Sequence, residues 1–529
     1  MHNTVSSGSG KSSLPSSPGT GGSQHAANQN SAAVPISTSL QSNLDSIKEA
    51  FSDCGDFIVR TWSYGANLEL SALSVYFETL VQDRYLSVVK EALQDMSTHL
   101  VGTAADVRTD EVIRFFSKHA PASHPVDTLD TIGQCIASVL DGKVVVFWNG
   151  WQRAVAYYAL DVAQRQVSEP INEPVVQGPH NSTIEELYRN IGMIRELLKS
   201  PRLKFEYREA GAESRRRLVF GYLDGSVNPE TLREFKRRID QIGQEEIMET
   251  SYLEEWLGEA RYSPFPQVRY TERIDTAIAA LLDGKIIAMV NGTPSILIGP
   301  GKFLEFFMSS EDFYHRSLFS SLIRLLRLVA FVIALLLPST YIALSTFHSE
   351  MVPTVLLLAI LNTREGIPFP AFLEALIMEF FFELLREAGI RLPRPIGSAV
   401  SIVGALVIGE AAIQSKIASP VMVIVVALTG IASFALPQYN MAIAIRILRF
   451  PFMLLAATFG GLGIMIGFLL TLLHLTSLRS IGQPYLSPVA PLDLTQWRDL
   501  FVIVPRKILL HAPRNRHLHK KTAGRKQMP

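Results

Sequence analysis

The chain has 529 residues, with 49 basic and 49 acidic side chains and a mean hydropathy of +0.20. At about 150 residues per domain, this length predicts several domains rather than one compact core. The balanced charge differs from the basic composition of nucleic-acid-binding domains, so no nucleic-acid partner is expected. Most of the apolar excess follows residue 320, which predicts a soluble half and then a membrane half.

The N-terminal residues 1–44 are predicted to be disordered because they are rich in Ser, Gly and Asn. They contain no apolar core of a secretory signal, so the soluble half is expected to stay in the cytoplasm. The stretch GSGKSS resembles a phosphate loop, but Val5 stands where that motif requires glycine, and we reject this interpretation. With only Cys54 and Cys135, the composition favours a reducing compartment and buried thiols over a disulfide.

The soluble half is predicted to contain two tandem, duplicated α/β subdomains at 45–185 and 186–310. The sequence VLDGKVVVFWNG of the first reappears as LLDGKIIAMVNG in the second, and Ile132 aligns with Ile274, 142 positions later. In each copy the sequence predicts a helix that ends at Asp-Gly, a β-branched strand that ends at Asn-Gly, and then another strand.

A weaker upstream match supports the same duplication. VYFETLV at 75–81 aligns with FGYLDGSV at 220–227, and each predicts a short strand leading into a charged helix. Asp-Gly and Asn-Gly turns can hold anions, but ordinary turn chemistry is the favoured interpretation. The soluble half has no catalytic set and no metal-ligand spacing, so we expect a non-enzymatic binding or assembly module without a cofactor or metal.

Residues 311–485 are predicted to form a helical, polytopic membrane domain. Arg316, Arg324 and Arg327 precede the first apolar run and place its start on the inside by the positive-inside rule. The basic tail at 486–529 is assigned to the cytoplasm for the same reason, and it can also touch anionic lipid. The expected four spans are the apolar runs 328–344, 399–413, 420–436 and 447–475.

Residues 351–395 are the least ordinary part of this domain because proline and charge interrupt their apolar pieces. Glu379, Glu383 and Glu387 recur every four residues and form one stripe on a helix, while Glu374 falls off that stripe. Acids facing lipid are costly, so the stripe must meet water, a cation or an arginine.

Two interpretations of this stripe remain open. It can belong to an interfacial amphipathic or re-entrant helix, with Glu383 paired to Arg386 and Glu387 to Arg391. Alternatively, several subunits surround an axis and the acids form rings that attract cations. Glu410, within or near the second span, is a further candidate for the ion path.

Small residues predict where helices pack closely. Ala405 with Gly409, and Gly463 with Gly467, have small-xxx-small spacing and are candidate helix-packing positions.

Several long motifs then match a known family in order. They are PFPQVRYTERIDTAIAALLDGKIIAMVNGTP at 264–294, LPSTYIALSTFHSEMVPT at 337–354, FLEALIMEFFFELLREAGIRLPRPIGSAVSIVGALVIGEAAIQSKIASP at 372–420, IRILRFPFMLLAATFGGLGI at 445–464 and LTSLRSIGQPYLSPVAPL at 475–492. Over residues 45–495 the chain closely resembles the A subunit of spore germination receptors, the GerA family.

This resemblance implies a multi-pass protein of the spore inner membrane that works with a transporter-like B subunit and a lipoprotein C subunit. In that family the B subunit is thought to hold the nutrient, and A subunits are proposed to form a ring, of five, that acts as a nutrient-gated cation channel. The alternatives are a non-conducting scaffold that clusters B and C and, less favoured, a transporter. A transporter is less favoured because the sequence contains no inverted repeat.

The chain departs from the family pattern at four places. Ile274 replaces a proline, Asn291 an aspartate and Glu410 an amide, and Ser480-Ile481-Gly482-Gln483-Pro484-Tyr485 replaces SFGVPY. Glu410 matters most, because an added acid in a span can alter ion preference or gating.

Overall fold

The computed structural model describes residues 34–64, 68–81, 87, 109–117, 126–161, 170, 173–492 and 503. They fall into two compact units, the first made of residues 1–52 and 56–162 and the second of residues 53–55 and 163–529. The predicted disorder of residues 1–33 and most of the basic tail lie outside the described residues. Residues 40–44, which were predicted to be disordered, belong instead to a helix that buries Asn43 and Ile47.

In the first unit, the described strands form one antiparallel sheet in the order β1-β2-β4-β5-β3. Its described elements are α1 (Leu40–Ala50), β1 (Phe57–Tyr64), β2 (Leu70–Phe77), α2 (Glu78–Val81), α3 (Thr109–Ser117), β3 (Val126–Leu129), α4 (Ile132–Leu140), β4 (Lys143–Trp148) and β5 (Ala154–Tyr158).

Helix α4 shows how local sequence fixes an element. Thr131 and Gln134 form a capping box at its start, in which each side chain bonds the other residue's backbone N–H. Gly142 ends the helix with a φ of +76°, a conformation that glycine adopts without strain. Burial of Cys135 within α4 raises the pKa of its thiol to about 12, and both cysteines are buried thiols, as predicted.

The second unit begins with an α/β subdomain whose described strands have the equivalent order β6-β7-β9-β10-β8. The predicted helix, strand, turn and strand around the Asp-Gly and Asn-Gly pairs are confirmed in both subdomains. Its elements are α5 (Leu187–Leu197), β6 (Leu203–Ala210), β7 (Arg216–Leu223), α6 (Pro229–Asp240), α7 (Tyr252–Leu257), β8 (Arg269–Thr271), α8 (Ile274–Leu282), β9 (Ile286–Val290) and β10 (Ile296–Gly299).

Residues 317–477, all of which the structure describes, are predominantly helical. The α-helices of this region are α9 (Ser317–Thr346), α10 (Thr354–Thr363), α11 (Ala371–Arg391), α12 (Arg394–Gln414), α13 (Pro420–Phe434), α14 (Tyr439–Phe459) and α15 (Gly461–Ser477). The apolar run 447–475, predicted as one long span, is two helices. The chain reverses at Gly460, whose φ of +60° and ψ of −136° are open to glycine.

Two buried clusters mark opposite ends of this helical region. The near cluster joins the subdomain to the helices and includes Phe303, Phe306, Leu436, Leu475 and Tyr485. The far cluster gathers the opposite ends and includes Tyr341, Ala375, Ala412, Met422 and Ala456. Helices α9 and α14 therefore run from near to far and α13 and α15 from far to near, while α11 begins and α12 ends at the far cluster.

The chain returns to the α/β subdomain after α15. A short hairpin of β11 (Arg479–Ser480) and β12 (Gln483–Pro484) docks there, and Ile481 enters the subdomain core. The hydroxyl of Ser480 donates to the carbonyl of Gln267 at 2.6 Å. The segments before α9 and after α15 thus lie at the same end of the helices.

The helices present apolar side chains outward as well as inward. Along the most apolar parts of α9 and α14, 33% and 39% of the residues are buried, so much of the apolar surface of both helices is exposed. Both are long and apolar enough to cross a membrane, and α10, α13, α15 and the end of α12 are shorter apolar helices. The exposed apolar side chains include Leu322, Leu326, Val329, Leu428, Ile431, Leu454, Phe468 and Leu469.

Candidate functional site: an acidic ladder held by arginines

Helix α11 places four carboxylates at successive depths between the far and near clusters. Glu374 to Glu387 spans 13 residues, or about 20 Å at a rise of 1.5 Å per residue. The helix has 21 residues, so the segment that was predicted as interfacial or re-entrant contains a helix about 30 Å long. We call Glu374, Glu379, Glu383 and Glu387 the acidic ladder.

Glu374, at the far end of the ladder, is completely buried. One of its oxygens accepts hydrogen bonds from the backbone N–H of Ser419 at 3.0 Å and from its hydroxyl at 2.9 Å. Ser419 is the N-cap of α13 and accepts from the N–H of Met422. A carboxylate beside a helix N-terminus is electrostatically favourable, so Glu374 fixes the start of α13. The Nε of Arg364 lies 3.7 Å from the other Glu374 oxygen.

Glu379, in the middle of the ladder, forms a buried ion pair with Arg449 of α14, with an N–O distance of 2.6 Å. The Nε of Arg449 also donates to the carbonyl of Ala334 in α9 at 2.9 Å. That carbonyl lacks its helical donor because Pro338, four residues later, has no N–H. One guanidinium therefore joins the proline-interrupted turn of α9, the acid of α11 and its own helix.

Glu383 and Glu387 occupy the near half of the ladder. Glu383 accepts a hydrogen bond from Arg446 of α14 at 2.9 Å and another from Arg386 on its own helix. Glu387 is exposed and pairs with Arg391 at 2.6 Å. Both ion pairs within α11 that the sequence spacing predicted are present. The sequence predicted that the stripe meets water, a cation or an arginine. The structure shows an arginine bonded to each of Glu379, Glu383 and Glu387.

Two ladder acids keep an oxygen without a hydrogen-bond donor. Among the described residues, the second oxygen of Glu379, the Glu374 oxygen that faces Arg364, and Nη2 of Arg449 are buried and make no hydrogen bond. Buried polar atoms are normally satisfied, so these atoms have capacity for water or an ion.

Glu410, the remaining ion-path candidate, lies apart from these contacts. It is exposed near the end of α12 and accepts from Gln414, one turn further along the same helix, at 3.0 Å. The structure does not join it to the arginines of α14 through any described hydrogen bond or ion pair.

The two pairs of candidate packing positions differ in how closely they approach a neighbouring helix. A methyl group added to Gly463 would lie 2.0 Å from the carbonyl oxygen of Leu455 in α14, and at Gly467 it would meet the Phe452 ring at 3.0 Å. These glycines therefore pack α15 against α14 within one chain. Ala405 is exposed, and a methyl on Gly409 would make only ordinary contact with Val423 of α13, at 3.6 Å.

The arginines that hold the ladder were not predicted from the sequence. Arg446 and Arg449 lie three residues apart inside an otherwise apolar helix, and such charges mark functional or paired positions. That signal was available in the sequence, but their pairing with α11 was not.

The arginines at the start of α9 have a structural role as well as the topological one predicted for them. Arg324 and Arg327 are buried and bond the buried carboxylate of Asp312, Arg327 at 2.8 Å. Asp312 precedes α9, so the pair fixes the entry of the chain into this helix.

A model of the Bacillus/Clostridium GerA spore germination protein family matches residues 45–515. The chain belongs to the GerA family. It is 39% identical over 477 residues to the uncharacterized membrane protein YfkQ of Bacillus subtilis (strain 168), covering 89% of this chain and 90% of that protein. It is also 38% identical over 474 residues to spore germination protein KA of the same organism, covering 89% and 86%.

A solved structure is similar to part of this GerA-family chain. It is the crystal structure of the N-terminal domain of the A subunit of the Bacillus megaterium spore germinant receptor GerK3. The match has 25% identity and a TM-score of 0.39, and covers 51% of this chain and 97% of that one.

Proposed function

We propose that this chain is the A subunit of a nutrient germinant receptor in the spore inner membrane, and that it forms an ion path when the spore germinates. The acidic ladder carries this proposal, because it sets carboxylates at successive depths of a predominantly apolar helical region. The proposed partners are a transporter-like B subunit that holds the nutrient, a lipoprotein C subunit, membrane lipid and further copies of the A subunit, five in a ring.

The directions of the helices support a polytopic arrangement. Helices α9, α13, α14 and α15 alternate between the near and far clusters, and α11 begins and α12 ends at the far cluster. Both the segment before α9 and the hairpin after α15 meet the same subdomain. An even number of crossings returns the chain to its starting side, in agreement with a cytoplasmic soluble half and a cytoplasmic basic tail. The equivalent strand orders of the two sheets support their origin by duplication.

The proposed mechanism uses the arginines as a gate. In this conformation Arg449 forms an ion pair with Glu379 and Arg446 forms one with Glu383. The acids are therefore neutralised and attract cations weakly. Nutrient binding to the B subunit stabilises a second state in which α14 moves relative to α11 and releases the acids. The nutrient drives this change only if it binds the receptor more tightly in the second state.

A non-conducting scaffold is the second candidate, and the pairing of these acids favours it. Ion pairs that persist throughout germination would make the ladder a structural device that joins helices, while A subunits cluster B and C. A transporter is the weaker alternative.

Planar-bilayer recording of the receptor assembled from A, B and C subunits tests the proposal, with oligomer size measured on the same sample. We expect a nutrient-dependent, cation-selective current that Glu383→Gln changes, whereas Glu350→Gln, an exposed acid outside α11, leaves it unchanged. An assembled receptor that passes no current with nutrient would refute the channel and support the scaffold.

A further inference from the structure

The segment 173–183, which we call the strap, joins the α/β subdomain of the second unit to helix α14. One oxygen of Glu173 accepts from the hydroxyl of Thr271 at 2.5 Å, and the other accepts from the side-chain amide of Gln438 at 3.0 Å. Thr271 ends β8, and Gln438 is the N-cap residue of α14. The Glu173 carboxylate therefore connects the α/β subdomain to the N-cap of α14.

The strap is also fixed along the rest of its length. The N–H of Thr183 donates to the carbonyl of Glu272 at 2.8 Å, and Arg273, itself fully buried, donates to the carbonyl of Pro179 at 2.9 Å. The strap thus covers residues 271–273, which lie within the 264–294 motif of the family resemblance.

A further contact connects the strap to the entry of α9. The N–H of Val176 donates to the carboxylate of Glu311 at 2.5 Å, and Glu311 lies in the turn that precedes α9. The strap consequently contacts the N-cap of α14 and the turn before α9, two of the three helices that meet at the Arg449 guanidinium.

Helix α14 can transmit a displacement from Gln438 to the ladder. Arg446 and Arg449 lie about 12 and 17 Å further along the helix at a rise of 1.5 Å per residue. A helix is a stiff element, so a shift of its first turn moves these guanidinium groups relative to Glu379 and Glu383.

We propose that Glu173 is a positioning residue that couples the α/β subdomain to helix α14, and that the strap thereby sets the arginines against the acidic ladder. This inference rests on the proposed function in one respect, namely that movement of the arginines governs the ladder. The coupling itself concerns only the position of α14 and is measurable without ion flow.

Hydrogen–deuterium exchange of the full-length protein in nanodiscs tests the coupling. In Glu173→Ala we expect the amides of residues 439–449 to exchange about fivefold faster, the effect of losing one net hydrogen bond at the helix start. The amides of α15 should not change. The matched control is Val176→Ala in the same strap, because the Val176 side chain is 87% exposed.

A residue swap separates a specific contact from general destabilisation. Glu173→Gln combined with Gln438→Glu keeps an acceptor for Thr271 and restores a hydrogen bond between the strap and α14. We expect Gln438→Glu alone, which sets two carboxylates against each other, to speed exchange at 439–449, and the swap to return it towards the wild-type rate. Unchanged exchange in Glu173→Ala, an equal increase in every helix, or failure of the swap would each overturn the coupling.

Hydrogen–deuterium exchange tests the coupling and the bilayer current tests the ion path, so failure of one is distinguishable from failure of the other. If exchange responds as expected but the assembled receptor passes no current, the coupling stands and the ion path is refuted. If the current is present and the exchange is insensitive to Glu173, the ion path stands and another element positions α14.

Discussion

At the scale of single residues, Arg449 connects three helices of the helical region. It neutralises Glu379, and it also donates to the carbonyl that Pro338 leaves without a helical donor. Two buried groups of different origin, one charged and one a backbone carbonyl, depend on this one side chain. Removing it is therefore expected to cost more than breaking an ordinary ion pair.

A double-mutant cycle tests this expectation. Arg449→Met should lower the free energy of unfolding in detergent by about 3–5 kcal/mol, because Glu379 becomes an uncompensated buried charge. Glu379→Gln removes that charge, so Arg449→Met with Glu379→Gln should be more stable than Arg449→Met alone. Additivity of the two single changes to within about 0.5 kcal/mol would show that the residues do not interact.

A second residue-scale prediction concerns pH and Glu234 in helix α6. Hydrogen bonds from Arg237 and then Arg238 lower the pKa of Glu234 to about 2, from an ordinary value of 4.5. A lowered pKa stabilises the fold above the unfolded value, and that stability is lost as the pH falls from about 4.5 towards about 2. Glu234→Gln should therefore reduce the acid-induced decrease of the urea midpoint in this window.

Two features limit and check the Glu234 effect. Its side chain is 27% exposed, so solvent screening weakens the contribution. Glu230→Gln, an exposed acid in the first turn of the same helix, is the control and should keep the wild-type acid dependence. Identical pH profiles for wild type and Glu234→Gln would contradict the prediction.

At the scale of elements, the α14–α15 hairpin depends on close backbone approach. Gly463 faces the carbonyl of Leu455 so closely that no side chain fits between the helices. The small-xxx-small spacing predicted a packing contact, and the structure assigns it to the preceding helix of the same chain. By contrast, the Gly409 surface has room for a methyl group.

The same substitution at the two glycines should have opposite effects. Gly463→Ala forces the helices apart and should destabilise the protein by about 1–3 kcal/mol, the cost of overpacking a tight interface. Gly409→Ala removes a flexible residue from a helix and should be neutral or stabilising by about 0.5–1 kcal/mol. Thermal unfolding in detergent measures both, and equal effects would contradict the assigned packing.

At the scale of the whole molecule, the proposed membrane crossings depend on where the ends of the helices meet. His348, after α9, accepts from the N–H of Gly461 at 3.0 Å, and Lys416, after α12, bonds the carbonyl of Glu365. These residues lie at the far end. The hairpin at residues 479–484 meets the soluble subdomain at the near end.

Labelling with a membrane-impermeant maleimide tests this arrangement in sealed vesicles. Glu350→Cys and Ser415→Cys should react from one side, and Arg261→Cys and Arg391→Cys only from the other. All four side chains are exposed. The native thiols are buried and serve as an unlabelled background. Reaction of Ser415→Cys and Arg391→Cys from the same side would show that α12 does not cross.

Much of the soluble fold was predictable because its signals are local. The helix, Asp-Gly, strand and Asn-Gly pattern gave the correct elements in both subdomains, since a turn that needs positive φ fixes the ends of its neighbours. The spacing within α11 also predicted both of its internal ion pairs. The break at Gly460 was missed although the Gly460-Gly461 pair is a turn signal, because the length of the apolar run was given more weight.

The amino-acid sequence by itself determined the family, the succession of an α/β region and an apolar helical region, and the position of the acidic stripe. These properties depend on composition, order and helical periodicity, all of which act within short segments. Only the tertiary structure decided that Arg449 and Arg446 hold the acids, that Glu173 bridges β8 and α14, and that the last hairpin returns to the subdomain. Those contacts join residues 63 to 265 positions apart, and periodicity carries no information about which distant segments become neighbours.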